Sequence, residues 1–127
     1  MPYSATVEIS VESTDLTLVQ RTTVSGEGKF VFAESIAANT TNREILVNVD
    51  VSALKLIVFN ADGPLTIKTN DSGSPDDTIV LAADQQQLYF EGAFFNALIA
   101  GDVTKIFVTN ATNAAVNFQF LLIQDIV

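Results

Sequence analysis

The 127-residue chain has no histidine and no cysteine, so its reactive side chains are 15 carboxylates, 6 lysines and arginines, and hydroxyls. That inventory removes the Ser-His-Asp and Cys-His nucleophile systems, every histidine general base, and the usual zinc and iron ligand sets. Paired carboxylates remain able to hydrolyse glycosides where two acids flank a sugar cleft, and a lysine can act alone or activate a hydroxyl. Sugar clefts stack their substrates on aromatic rings, yet tryptophan is absent and Tyr3 and Tyr89 are the only tyrosines. The expectation is a protein that is not an enzyme and that holds no cofactor.

Asp71, Asp76 and Asp77 cluster in the polar run 70–77. Calcium favours several hard oxygen ligands on one flexible loop. The spacing lacks the alternating acids and distal glutamate of an EF-hand, and a solvated turn accounts for the same residues. Asn39-Thr40-Thr41, Asn70-Asp71-Ser72 and Asn110-Ala111-Thr112 fit the glycosylation acceptor pattern, a chance match in a chain rich in Asn, Thr and Ser. The remaining candidates offer contact and not reaction. Six of the nine phenylalanines lie between positions 90 and 120. Phe118 and Phe120 share a parity with Val116 and Leu122, as one inward face requires. Phe94 and Phe95 are adjacent, so a strand cannot turn both inward, and the pair is a candidate protein interface. Ile126 and Val127 are apolar at the end of the chain and are candidates for the same role.

The elements that position these residues follow period two almost throughout. Val7, Ile9 and Val11 alternate with polar neighbours, predicting a strand with one wet face. Residues 16–24 continue it beyond a Ser-Thr-Asp turn at 13–15. A turn at 25–28 precedes a short strand at 29–32, and 37–42 read as a polar loop. Ile45, Val47, Val49 and Val51 alternate again. Residues 54–59 are apolar on both faces apart from Lys55, which predicts a central strand. Asn60-Ala61-Asp62-Gly63-Pro64 is the clearest turn, since Asp-Gly supplies a residue tolerant of positive φ. Strands are then expected at 65–69, 78–81, 87–90, 106–108 and 116–123, with a short helix or irregular crossing over 91–101. Nine or ten strands spaced in this way predict an all-β, two-sheet β-sandwich, jelly-roll-like in the first instance and immunoglobulin-like in the second.

Length and composition fit one domain spanning residues 1–127, because no stretch is long or biased enough to serve as a linker. The net charge of −9 opposes binding to nucleic acid or to an anionic membrane, and the six basic residues are widely spaced. Charge of this sign also keeps a protein soluble at high local concentration. The first residues lack the basic flank and apolar core of a signal peptide. The long uncharged stretch 106–124 is broken at 109–113 by turn residues, so it reads as two strands and not a membrane span.

Two segments echo one another. Lys55-Leu56-Ile57-Val58-Phe59-Asn60-Ala61-Asp62 returns as Lys105-Ile106-Phe107-Val108-Thr109-Asn110-Ala111-Thr112, each is followed by a second alternating run, and Asp50-Val51 and Asp102-Val103 stand upstream. They predict two equivalent strand-turn-strand hairpins. The stretch from Ala100-Gly101-Asp102-Val103-Thr104 through Thr109-Asn110-Ala111-Thr112 resembles a pattern in small virion-associated proteins of tailed bacteriophages. There an Asp-Val-Thr, a short apolar strand and Thr-Asn-Ala precede a final strand. Asp50-Val51-Ser52-Ala53-Leu54 through Thr69-Asn70-Asp71, with Pro75-Asp76-Asp77-Thr78-Ile79, is similar to the same group, so the resemblance spans residues 45–123. It implies a virion structural protein of all-β fold, and head decoration (cement) proteins are the best-known small β-sandwiches of that kind. The group has no catalytic residues to carry over. The expected partners are the major capsid protein and further copies of the chain, as a dimer or trimer, on the outer surface of the head. A tail- or fibre-associated receptor- or glycan-binding module is the alternative.

Overall fold

Period-two alternation becomes ten strands in the computed structural model, which describes residues 2–91 and 99–125. They are β1 (Tyr3–Glu12), β2 (Thr17–Gly26), β3 (Gly28–Ile36), β4 (Thr40–Val49), β5 (Leu54–Ala61), β6 (Leu65–Thr69), β7 (Thr78–Leu81), β8 (Gln87–Phe90), β9 (Val103–Asn110) and β10 (Val116–Gln124). A single 3-10 turn, Val51–Ala53, links β4 to β5, and the Asp50 side chain caps it by accepting from Ser52 N–H. The strands form a front sheet ordered β3-β10-β5-β8, a back sheet ordered β4-β9-β6-β7, and a separate two-stranded sheet of β1 and β2. The protein is an all-β sandwich with an appended hairpin. Within the sandwich β3 pairs β10, β4 pairs β9, β5 pairs β8 and β6 pairs β7, all antiparallel. This nested order is compatible with jelly-roll wrapping.

The core lies between the two sheets. The front sheet contributes Ile57, Phe59, Ala61, Phe118, Phe120 and Leu122, and the back sheet contributes Ile45, Val47, Val49, Leu65, Ile67, Ile106 and Val108. Phe118 and Phe120 are buried, as their shared parity predicts. β5 runs between β10 and β8 and is apolar on both faces, in agreement with a central position. Asn39, Asn42, Asn70 and Asp84 hold the positive-φ positions at loops and strand ends, which short amide and carboxylate side chains tolerate.

Four expectations need correction. The echoed segments are not hairpins. β5 lies in the front sheet and β6 in the back, while β9 lies in the back and β10 in the front, so each unit is an arch from one sheet to the other. The arches interlock, because β5 pairs β10 and β6 pairs β9. Nor are they equivalent in facing. Counting from the lysine, residues two, four and six along (Ile57, Phe59, Ala61) are buried among the core side chains of the first copy. In the second copy it is one, three and five along (Ile106, Val108, Asn110). A one-residue offset exchanges the two faces of a strand, so Asn60 and Asn110 play different parts. Gly63 does not take a positive φ; it is needed because a Cβ there would meet Cγ2 of Val116 at 2.7 Å. Finally, β3 runs on to Ile36, well past the short strand expected at 29–32. The crossing expected over 91–101 falls mostly outside the described residues. Of its described end, Ile99 is buried and non-helical.

Candidate functional site

The hairpin forms because its residues alternate and because Ser13 closes the turn. Ser13 N–H and Oγ donate to the Leu16 carbonyl at 2.9 and 3.1 Å, and Oγ accepts from Leu16 N–H at 3.1 Å. Pairing then runs from Tyr3–Gly26 to Glu12–Thr17 without a slip. The two faces differ sharply. One carries Tyr3, Ala5, Val7, Ile9 and Val11 with Leu18, Gln20, Thr22 and Val24 opposite them, and no charge. The other carries Glu8, Glu12 and Arg21, with Glu8 and Arg21 paired at 3.0 Å, and Thr6 and Thr23 within 3.3 Å.

The base of this arm is docked. Val24 packs with Leu56, Ile123 and Phe90 on the outer face of the front sheet, and Ala5 and Val7 border the same cluster. Gly26 makes the approach possible, since a Cβ there would lie 2.8 Å from the Gln124 carbonyl oxygen. Lys29 sits over the Tyr3 ring at 4.8 Å and adds a cation–π contact at the base. Beyond Val7 the contact ends. Every residue from Glu8 through Arg21 is exposed, including Ile9 at 42%, Val11 at 56%, Leu16 at 59% and Leu18 at 57%. The apolar stripe that anchors the arm therefore continues along a segment with nothing beneath it.

A second uncharged surface lies beside the anchor. Cross-strand registers place Ile123, Leu56 and Phe90 in one row across the front sheet, and Val31, Leu121, Val58 and Leu88 in the next. The arm buries the first row. In the second, Val31 is 58% exposed and the others are half-buried. A shallow groove of about 260 Å³ opens there, lined by Val31, Ala33, Val58, Asn60, Gln119 and Leu121 among others, none of them charged. On the back sheet the exposed aliphatics Leu46 and Val80 stand singly on opposite edge strands, β4 and β7.

The acidic loop is tied down internally. Thr69 closes its neck by accepting from Asp77 N–H at 2.9 Å. Asp71 accepts from the Gly73 and Ser74 amides, and those bonds, the Gly73 one foremost, hold its carboxyl below the usual aspartate value. Asp76 accepts from the Asn70 side chain and Asp77 from Ala100 N–H. The three carboxylates serve four donors and share none of them, and among the described residues no group of three or more acids could hold a metal ion. Asp102 also closes on the fold: it accepts from Val51 N–H at 2.9 Å, so one of the two echoed Asp-Val pairs caps the other. Asn110 is buried and donates to the carbonyls of Ile36, Ala37 and Ala114 while accepting from Thr112. Its place in an acceptor triplet is a structural one.

Phe94, Phe95, Ile126 and Val127 all lie outside the described residues. The apolar arm was not among the expected interface residues. Its alternation was legible, but an alternating strand ordinarily turns its apolar side to the core, and only the overhang distinguishes this one. No family model, curated protein or solved structure matches the chain.

Proposed function

We propose that the protein is a non-catalytic structural attachment protein of the head decoration type, which binds the outer surface of a major capsid protein lattice and holds neighbouring subunits together. The observation that carries this reading is the apolar stripe that leaves the sandwich on the hairpin, where Ile9, Val11 and Leu18 stand exposed on one face, a contiguous apolar surface of the sort that marks an interaction site. The virion pattern over residues 45–123 supports the assignment to a shell. The charge of −9 supports its outer surface, since a lumenal protein would face packaged DNA. In this reading each protomer adds a modest interface, and symmetric repetition multiplies it. The test is to add the protein to capsids stripped of it and to measure occupancy and thermal resistance at low and high salt. Occupancy with added resistance, weakening only mildly with salt, is expected, because apolar burial is not screened as surface ion pairs are. No occupancy, or occupancy without resistance, would transfer the preference to a tail or fibre module.

A further inference from the structure

Resting on the attachment reading above, and assigning the hairpin's stripe to contact between copies and not to contact with the shell, we infer that the free half of the hairpin arm docks into the groove on the front sheet of a second copy, so that the protein works as an arm-exchanged dimer. Three observations converge on this occupant.

The first is continuity. The base of the arm already packs Ala5, Val7 and Val24 on Leu56, Ile123 and Phe90, and Ile9, Val11 and Leu18 extend the same face with the same small and branched side chains. The second row of the front sheet, Val31, Leu121, Val58 and Leu88, adjoins the covered one, and its Val31 end is left exposed. Within the arm the ladder runs from end to end with no bulge to fold its free half back over its own groove. The partner that fits is another copy.

The second is charge. Two copies carrying −9 each repel one another, so they meet only where neither presents a charge. The arm's apolar face and the residues lining the groove are both free of charged side chains, in a chain with 15 acids.

The third is area. A single arm tip offers three exposed aliphatics on its docking face, Ile9, Val11 and Leu18, well short of the roughly 800 Å² a side of a standard interface. Exchange about a two-fold axis brings both arms into play and approaches the roughly 1,200–2,000 Å² total of a specific interface.

Sedimentation velocity across a concentration series tests the inference on the intact chain, with Leu18→Glu and Val31→Glu as variants. Both residues are exposed, so circular dichroism should show both variants folded. The wild type is expected to dimerise, no less tightly at high salt than at low. Each variant is expected to raise the dissociation constant at least about tenfold. Because the chain has no cysteine, docking can also be mapped directly. Val11→Cys protein mixed with Val31→Cys protein should oxidise to a crossed heterodimer, whereas Val11→Cys protein alone should stay uncrosslinked. A monomer at every concentration, a dimer indifferent to both glutamates, or crosslinking of Val11→Cys protein to itself would overturn the exchange. A monomer that still occupies stripped capsids would overturn it while leaving the decoration reading intact. A dimer with the expected sensitivities that never binds capsid would do the reverse.

Discussion

Phe59 and Phe120 meet edge to face across the β5–β10 pair, with ring centroids 4.6 Å apart and planes at 86°. Phe118 lies parallel to Phe59 at 6.2 Å, and Phe30 meets Phe120 edge to face from β3. This aromatic cluster lies at the front-sheet side of the interior. Phe120→Ala should therefore cost about 3–5 kcal/mol, a large share of a typical margin of about 5–15 kcal/mol. Urea denaturation measures it, and a loss below about 1 kcal/mol would mean that the ring does not hold the sheets together.

Asn110→Ala should be nearly as damaging, although it removes a small polar residue. It would strip a donor from the carbonyls of Ile36, Ala37 and Ala114, and an acceptor from Thr112, in a buried place. The expected loss is at least about 2 kcal/mol. Among the described residues the Asn60 side chain donates only to Gln119, and it is part-exposed, so Asn60→Ala should stay within about 0.5 kcal/mol. Equal costs for the two substitutions would contradict the opposite facing of the two copies.

Lys55 bridges Glu91 at 2.7 Å and Asp125 at 3.5 Å, tying β5 to the ends of β8 and β10. Chiefly through the Glu91 hydrogen bond, its pKa rises above 10.5, partly opposed by desolvation. A raised folded-state pKa means that the contribution is fully present below 10.5 and is lost as pH climbs through the folded value. Denaturation midpoints should fall over that alkaline window more steeply in the wild type than in Lys55→Met. Parallel curves would show that the bridge adds nothing.

Gly26→Ala should loosen the arm before it loosens the sandwich. The new Cβ would stand 2.8 Å from a backbone oxygen of Gln124, so one of the two strands, β2 or β10, must move. Hydrogen exchange should quicken at the docked end of β1 and β2 while the β5 and β10 amides stay protected. Unchanged exchange in β1 and β2 would indicate that the arm is not anchored there.

Much of the architecture was written in the residue pattern. Period two, the polar turns at 13–15 and 70–77, the central apolar run at 54–59 and the inward parity of Phe118 and Phe120 each report a local rule, because a strand exposes alternate residues whatever it pairs with. The echo was legible as two strand-turn-strand units, but not as arches. A tight turn reads the same in sequence whether the chain returns to its own sheet or crosses to the opposite one. The one-residue difference in facing between Asn60 and Asn110 was equally hidden, since it depends on which neighbour each strand meets.

By itself, then, the sequence determined that the protein is built of strands and that it lacks the histidine and cysteine of the commonest catalytic centres, for these follow from side-chain periodicity and residue type. The tertiary structure alone decided which apolar stripe is covered. Val7 and Val11 stand on one face of one strand, and their chemistry is the same. Val7 borders the cluster of Leu56 and Ile123, while Val11 has run past the edge of the sheet and faces solvent. Burial is a property of what lies opposite a residue, and that is set by long-range packing.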